Sequence, residues 1–227
     1  MTRVAVVRFP GSNCDFDALR AAQRAGADAY FVWHRDNDLD RADAVILPGG
    51  FAYGDYLRAG AIARFSPVMD AVAAHAEAGG PVLGICNGFQ VLCEAGLLPG
   101  ALMRNAGQRF VSRPVDVRIE GVETPFTASY EKGAIIRVPI AHGEGRYVAT
   151  EAVVRELEAD RRVILRYLEN PNGSIGNIAG IVNRGGNVVG MMPHPERAAD
   201  PLVGASAGHG VFASMMTSLE RLKQGIA

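Results

Sequence analysis

The stretch GICNGFQ, residues 84 to 90, sets Cys86 between two glycines in the pattern G-x-C-x-G. A residue on a tight strand-to-helix turn needs small neighbours, and Gly84 and Gly88 supply them. Such a turn exposes the sulfur beside the N-terminus of the next helix, where the dipole and free N–H groups favour thiolate, the nucleophilic form. The backbone N–H of Asn87 would face an oxyanion formed by attack. The competing reading is a buried structural cysteine, as most lone cysteines are; the paired glycines favour the nucleophile. A nucleophile also needs a base and an orienter. His34 follows a strand among charged residues, His75 lies in an alanine-rich helix and His209 in a glycine-rich approach to the last helix, which leaves His142 and His194. His194 closes NVVGMMPHPE, another strand terminus, and Glu196 stands two residues on. In extended backbone those two share a face, so Glu196 can fix the imidazole tautomer. Cysteine, histidine and glutamate together are the parts of acyl transfer. Taken alone, H-P-E between Pro193 and Pro195 reads equally as a surface turn.

These residues need a scaffold, and the chain alternates strand-like and helical runs over its first hundred positions. RVAVVRF is followed by a helix near residues 16 to 25, then by the runs DAYFVWH and DAVILPGG. The last is apolar throughout and ends at Pro48 and two glycines, as a strand buried on both faces does. SPVMDAVAAHAEAGG reads as a helix with Ser66 as N-cap and Pro67 at its first position. PVLGIC and GFQVLCEAGLL give the next strand and helix. The alternation predicts an α/β fold, an open, mostly parallel sheet with flanking helices. From Pro99 to Tyr147 the rhythm changes, and FVSRPVDVRIE and GAIIRVPIAHGEGRY read as an antiparallel excursion from the main sheet. RVILRYL, NIAGIVN and NVVGMMPH are three further strands, the last two joined by the turn RGG. A helix over residues 210 to 223 closes the chain, and no linker or repeat interrupts residues 1 to 227, which read as a single domain.

Composition narrows the function classes. The 227 residues are 48% hydrophobic and 21% charged, with a net charge of −1, so no nucleic-acid footprint or polybasic membrane anchor is present. Neither a cleavable signal peptide nor a membrane-length apolar run is visible, so a cytoplasmic location is expected. Three cysteines, Cys14, Cys86 and Cys93, are too few for a disulfide framework, and no Cys/His spacing suggests zinc.

GICNGFQ with the distant HPE resembles the class I, or triad-type, glutamine amidotransferases, and the flavodoxin-like sheet is the fold this implies. More narrowly, RFPGSNCD, LPGGFAYGDYLRAGAIA, VPIAHGEGRY, NPNGS and GMMPHPERA are similar to the glutaminase subunits of phosphoribosylformylglycinamidine synthases. The resemblance implies Cys86 as nucleophile, His194 as general base and acid, and Glu196 as its orienter. It implies a second oxyanion N–H at Gly50, beside that of Asn87, and contacts to the substrate L-glutamine from Gln90 and from Ala141, His142 and Gly143. His142 and Glu144 could equally serve partner contact. The implied partners are a large synthetase subunit, binding ATP and magnesium, and a small third subunit as a further candidate. No cofactor is expected on this chain, which has no P-loop pattern. A different cysteine hydrolase of the same fold, or a non-catalytic regulatory module, remains an alternative at this level; glutaminase against peptidase assays separate the first.

Overall fold

Short apolar segments that can be buried on both faces form the middle of the sheet, and longer alternating ones form one side of it. The structure, a computed structural model, describes residues 1–204 and 206–225. In chain order the elements are β1 (Arg3–Arg8), α1 (Asp15–Arg24), β2 (Asp28–Trp33), β3 (Ala44–Leu47), α2 (Val68–Glu77), β4 (Val82–Ile85), α3 (Asn87–Glu94), β5 (Ala101–Met103), β6 (Val111–Ile119), β7 (Ile135–His142), β8 (Arg146–Val148), α4 (Glu151–Ala159), β9 (Val163–Tyr167), β10 (Ile178–Val182), β11 (Val188–Met191) and α5 (His209–Lys223). Nine strands make one sheet in the order β2-β1-β3-β4-β11-β10-β9-β6-β7. The pairs from β2 to β11 are parallel and those from β11 to β7 antiparallel, so only β10 and β6 run against the common direction. Every residue of β3, β4 and β11 is buried, as helices on both faces require.

The expected antiparallel excursion is real, but its two long strands stay in the main sheet: β6 and β7 are its far edge. Only β5 and β8 stand apart, as a two-stranded flap whose Tyr147 stacks on Phe89 of α3 with ring centroids 6.0 Å apart. GAIIRVPIAHGEGRY therefore divides into β7 and β8 at the turn 143–145. Helix α4 is an element the sequence reading passed over, although Thr150 caps it by accepting from the Val153 N–H. Ser66 precedes a helical Pro67 as expected, but its hydroxyl does not cap α2; it bonds Tyr53 Oη at 2.9 Å. A competing side-chain partner takes the oxygen the helix would have used.

Candidate active site

Cys86 follows β4 directly and caps α3 with φ +48° and ψ −101°, a strained conformation for a residue with a side chain. The glycines on either side are there for space. A Cβ on Gly88 would lie 1.9 Å from the Leu47 carbonyl oxygen, and one on Gly84 2.5 Å from Leu92 Cδ1. The Cys86 N–H donates to the Met191 carbonyl at 2.7 Å, which ties the turn to β11, the strand that leads to His194. Contrary to the expectation of an exposed sulfur, Cys86 is only 4% accessible. The C-terminal end of β7 covers it, with the Ala141 carbonyl 3.8 Å from Sγ.

His194 and Glu196 are both buried, and His194 Nδ1 lies 2.5 Å from Glu196 Oε1. The expected pair is met, but the backbone that makes it is not extended. His194 lies beyond the end of β11 and Pro195–Ala198 is a 3₁₀ turn, so tight winding, not strand alternation, brings the two together. The reading of H-P-E as a surface turn is overturned by its burial. Burial opposes a charge on His194, yet the Glu196 carboxylate and the Cys86 sulfur outweigh it and raise the imidazole pKa. His194 is fixed from two further sides. Its N–H donates to the Pro139 carbonyl at 2.8 Å, and Gly49 lies flat against the ring, where a Cβ would come 2.6 Å from Cε1 and 3.5 Å from Cys86 Cβ.

Gly50 has φ +143° and packs so closely on residues 11–13 that a Cβ would stand 2.4 Å from the Asn13 nitrogen. Only glycine fits there. Among the described residues neither its N–H nor that of Asn87 donates to a protein acceptor. The side chain of Asn87 is fully used: Oδ1 accepts from Ala52 N–H at 3.0 Å, and Nδ2 reaches Gln90 Oε1 at 2.9 Å and Asp55 Oδ1 at 3.3 Å. Gln90 in turn donates to the Glu144 carbonyl at 2.7 Å, so its amide already holds the 141–145 segment. A substrate would find its second Nε2 hydrogen and the second lone pair of Oε1.

At His142 the expected substrate contact is one of backbone, and the side chain has a separate task. Its ring is buried, and Asn172 Nδ2 donates to its Nε2 at 3.0 Å, which puts any proton of the neutral ring on Nδ1. Burial, helped by repulsion from His194, lowers its pKa to about 4 and keeps it uncharged. Asn172 also donates to the Gly145 carbonyl, while Asn105 accepts from the Gly145 N–H at 3.1 Å and donates to the His142 carbonyl at 2.9 Å. The Gly143 carbonyl accepts from Asn105 N–H at 2.9 Å. These two asparagines build the wall behind the sulfur, and nothing local in the sequence announces Asn105.

A thiol on a strained turn, with an imidazole at its side and a carboxylate behind the imidazole, all at one rim of an α/β sheet, is the apparatus of cysteine acyl transfer. Residues 1–210 match the CobB/CobQ-like glutamine amidotransferase domain, and the chain belongs to that family. It is 61% identical over 214 residues to the phosphoribosylformylglycinamidine synthase subunit PurQ of Rubrobacter xylanophilus, covering 94% of this chain and 97% of that one. The structure of PurLQS from Thermotoga maritima superposes with a TM-score of 0.89 at 47% identity, over 96% of this chain and 99% of the other. The glutaminase domain of Trypanosoma brucei CTPS, with bound acivicin, shares the fold at a TM-score of 0.65 and 16% identity, over 97% and 94% of the two chains.

Proposed function

We propose that this chain is the glutaminase subunit of a phosphoribosylformylglycinamidine synthase, hydrolysing L-glutamine and passing the ammonia to a synthetase partner. The observation that carries the reading is the buried Cys86, His194 and Glu196 set on the ends of two paired strands, in a chain so similar to a PurQ subunit. Cys86 thiolate attacks the side-chain amide carbon of glutamine. The N–H groups of Asn87 and Gly50 hold the oxyanion, and protonated His194 gives its proton to the departing ammonia. A water deprotonated by His194 then hydrolyses the thioester to glutamate, and Glu196 keeps the imidazole in register throughout. Ala141 and Gly143 supply backbone, and Gln90 and His142 hold that backbone, around the substrate. The partner, a large synthetase subunit with a small third subunit as a further member, uses ATP and magnesium to make formylglycinamidine ribonucleotide; this chain needs no cofactor for its own step.

Replacing Cys86 by Ala or Ser should abolish glutamine hydrolysis, while the reconstituted complex still forms product from ammonium salt. Loss of both activities would mean that Cys86 serves the structure and not the reaction.

A further inference from the structure

Cys14 has no part in the chemistry above, yet it stands beside the base. Its Sγ, an imidazole nitrogen of His194 and a carboxylate oxygen of Glu196 all lie within 4.8 Å of one another. Two separate segments deliver them. Cys14 caps α1 and is held by its N–H to the Gly49 carbonyl at 3.1 Å, while the other two come from the turn that follows β11. Nothing in the sequence spacing joins position 14 to positions 194 and 196.

A second observation points to a missing ligand. Glu196 Oε2 has no hydrogen-bond partner among the described residues, although the side chain is 0% accessible. Buried polar atoms left in this state are costly and want a partner. Magnesium and calcium take oxygen ligands and suit a thiol poorly. A sulfur, an imidazole nitrogen and a carboxylate oxygen are the mixed set that Zn²⁺ accepts. At zinc bond lengths of about 2.0 to 2.3 Å the donors of a tetrahedron stand roughly 3.3 to 3.8 Å apart, so rotamer shifts of about an ångström close the cluster. Cys14, partly accessible, provides the way in.

We propose that Cys14, His194 and Glu196 form a site for Zn²⁺, and that its occupation arrests the glutaminase. Binding releases the Cys14 thiol proton, and any second proton on His194, to solvent; no electron moves. A metal-bound imidazole can neither take the Cys86 proton nor give one to ammonia. The arrest rests on the function proposed above; the binding does not.

The experiment therefore has two arms. In the Cys86→Ser chain, Co²⁺ is the probe, and one equivalent should produce a thiolate-to-cobalt charge-transfer band that Zn²⁺ displaces. Adding Cys14→Ser, or Cys14→Ala as a second version, should remove the band in protein whose circular dichroism is unchanged. In the complex, Zn²⁺ should inhibit glutamine hydrolysis reversibly by chelator. Cys14→Ser should raise the half-inhibiting concentration by about tenfold or more, read against that variant's own zinc-free rate. A band that survives without Cys14, or equal inhibition of both proteins, overturns the site. If the chain proved not to be a glutaminase, the cobalt titration would still decide the binding.

Discussion

Gly49 decides how near the imidazole stands to the sulfur. A methyl group there would meet His194 Cε1 at 2.6 Å and Nδ1 at 3.1 Å, and the ring would have to move away from Cys86. Gly49→Ala should therefore lower kcat by about a hundredfold, with a smaller change in KM, in steady-state assays of the complex; an unchanged kcat would free Gly49 of that role. Asp55 offers a different test. Burial, with the charge of Glu144, raises its pKa from 3.8 to about 6, against the smaller opposing bond from Asn87. The folded state thus favours the protonated acid, and the stability this gives is present below about pH 4 and lost as pH rises through about 6. Asp55→Asn should raise the melting temperature, least at pH 4 and most above pH 6, on top of a small pH-independent gain because Asn tolerates its φ of +54°. A difference that is flat with pH would sink this account. Cys86 was legible because its glycines sit beside it in sequence, and His194 because few histidines end a strand. Gly49 and Cys14 were not, since their importance lies in a ring almost the whole chain away.

At the scale of elements, α3 lies on β3 without room to spare. Gly88→Ala would drive a methyl into the Leu47 carbonyl, and the helix carrying Asn87 and Gln90 would have to lift. We expect a loss of about 3 kcal/mol or more in urea denaturation, beyond the usual range for one added methyl, because the obstacle is backbone. A loss below about 1 kcal/mol would show that the helix can shift freely. The first four strands and their helices were readable from periodicity and turn residues alone. The far edge was less so, because β6 and β7 carry polar residues on one face and their place in the main sheet depends on pairing β9, a decision made between strands and not within them. The 141–145 segment was singled out in the sequence, but what holds it was not, for the same reason: Asn105 and Asn172 act on it from other parts of the chain.

For the molecule as a whole, the loop after Gly50 links the site to its outer surface. Tyr53, Asp55 and Leu57 all have positive φ, Asn87 grips the loop at Ala52 and Asp55, and Tyr56 and Leu57 are 75% and 92% accessible. A strained segment with apolar side chains in solvent at one end and a grip on the oxyanion turn at the other is suited to convey docking. The isolated chain should be a slow glutaminase, and the substrate-loaded partner should raise kcat on the order of a hundredfold, the worth of one oxyanion donor. Equal rates with and without the partner would show that the Gly50 amide is already in place.

The position of β11 has a consequence for how the protein comes into being. It lies between β4 and β10, yet it is the last strand in the chain. While a ribosome is still short of residue 188, the wholly apolar β4 has a bare edge and Cys86 has no imidazole beside it. Translation proceeds from the N-terminus, so the thiol is made early and its base arrives near the end. A chain that stops short of His194 cannot spill ammonia, and the strand that completes the sheet is also the one that leads to its base.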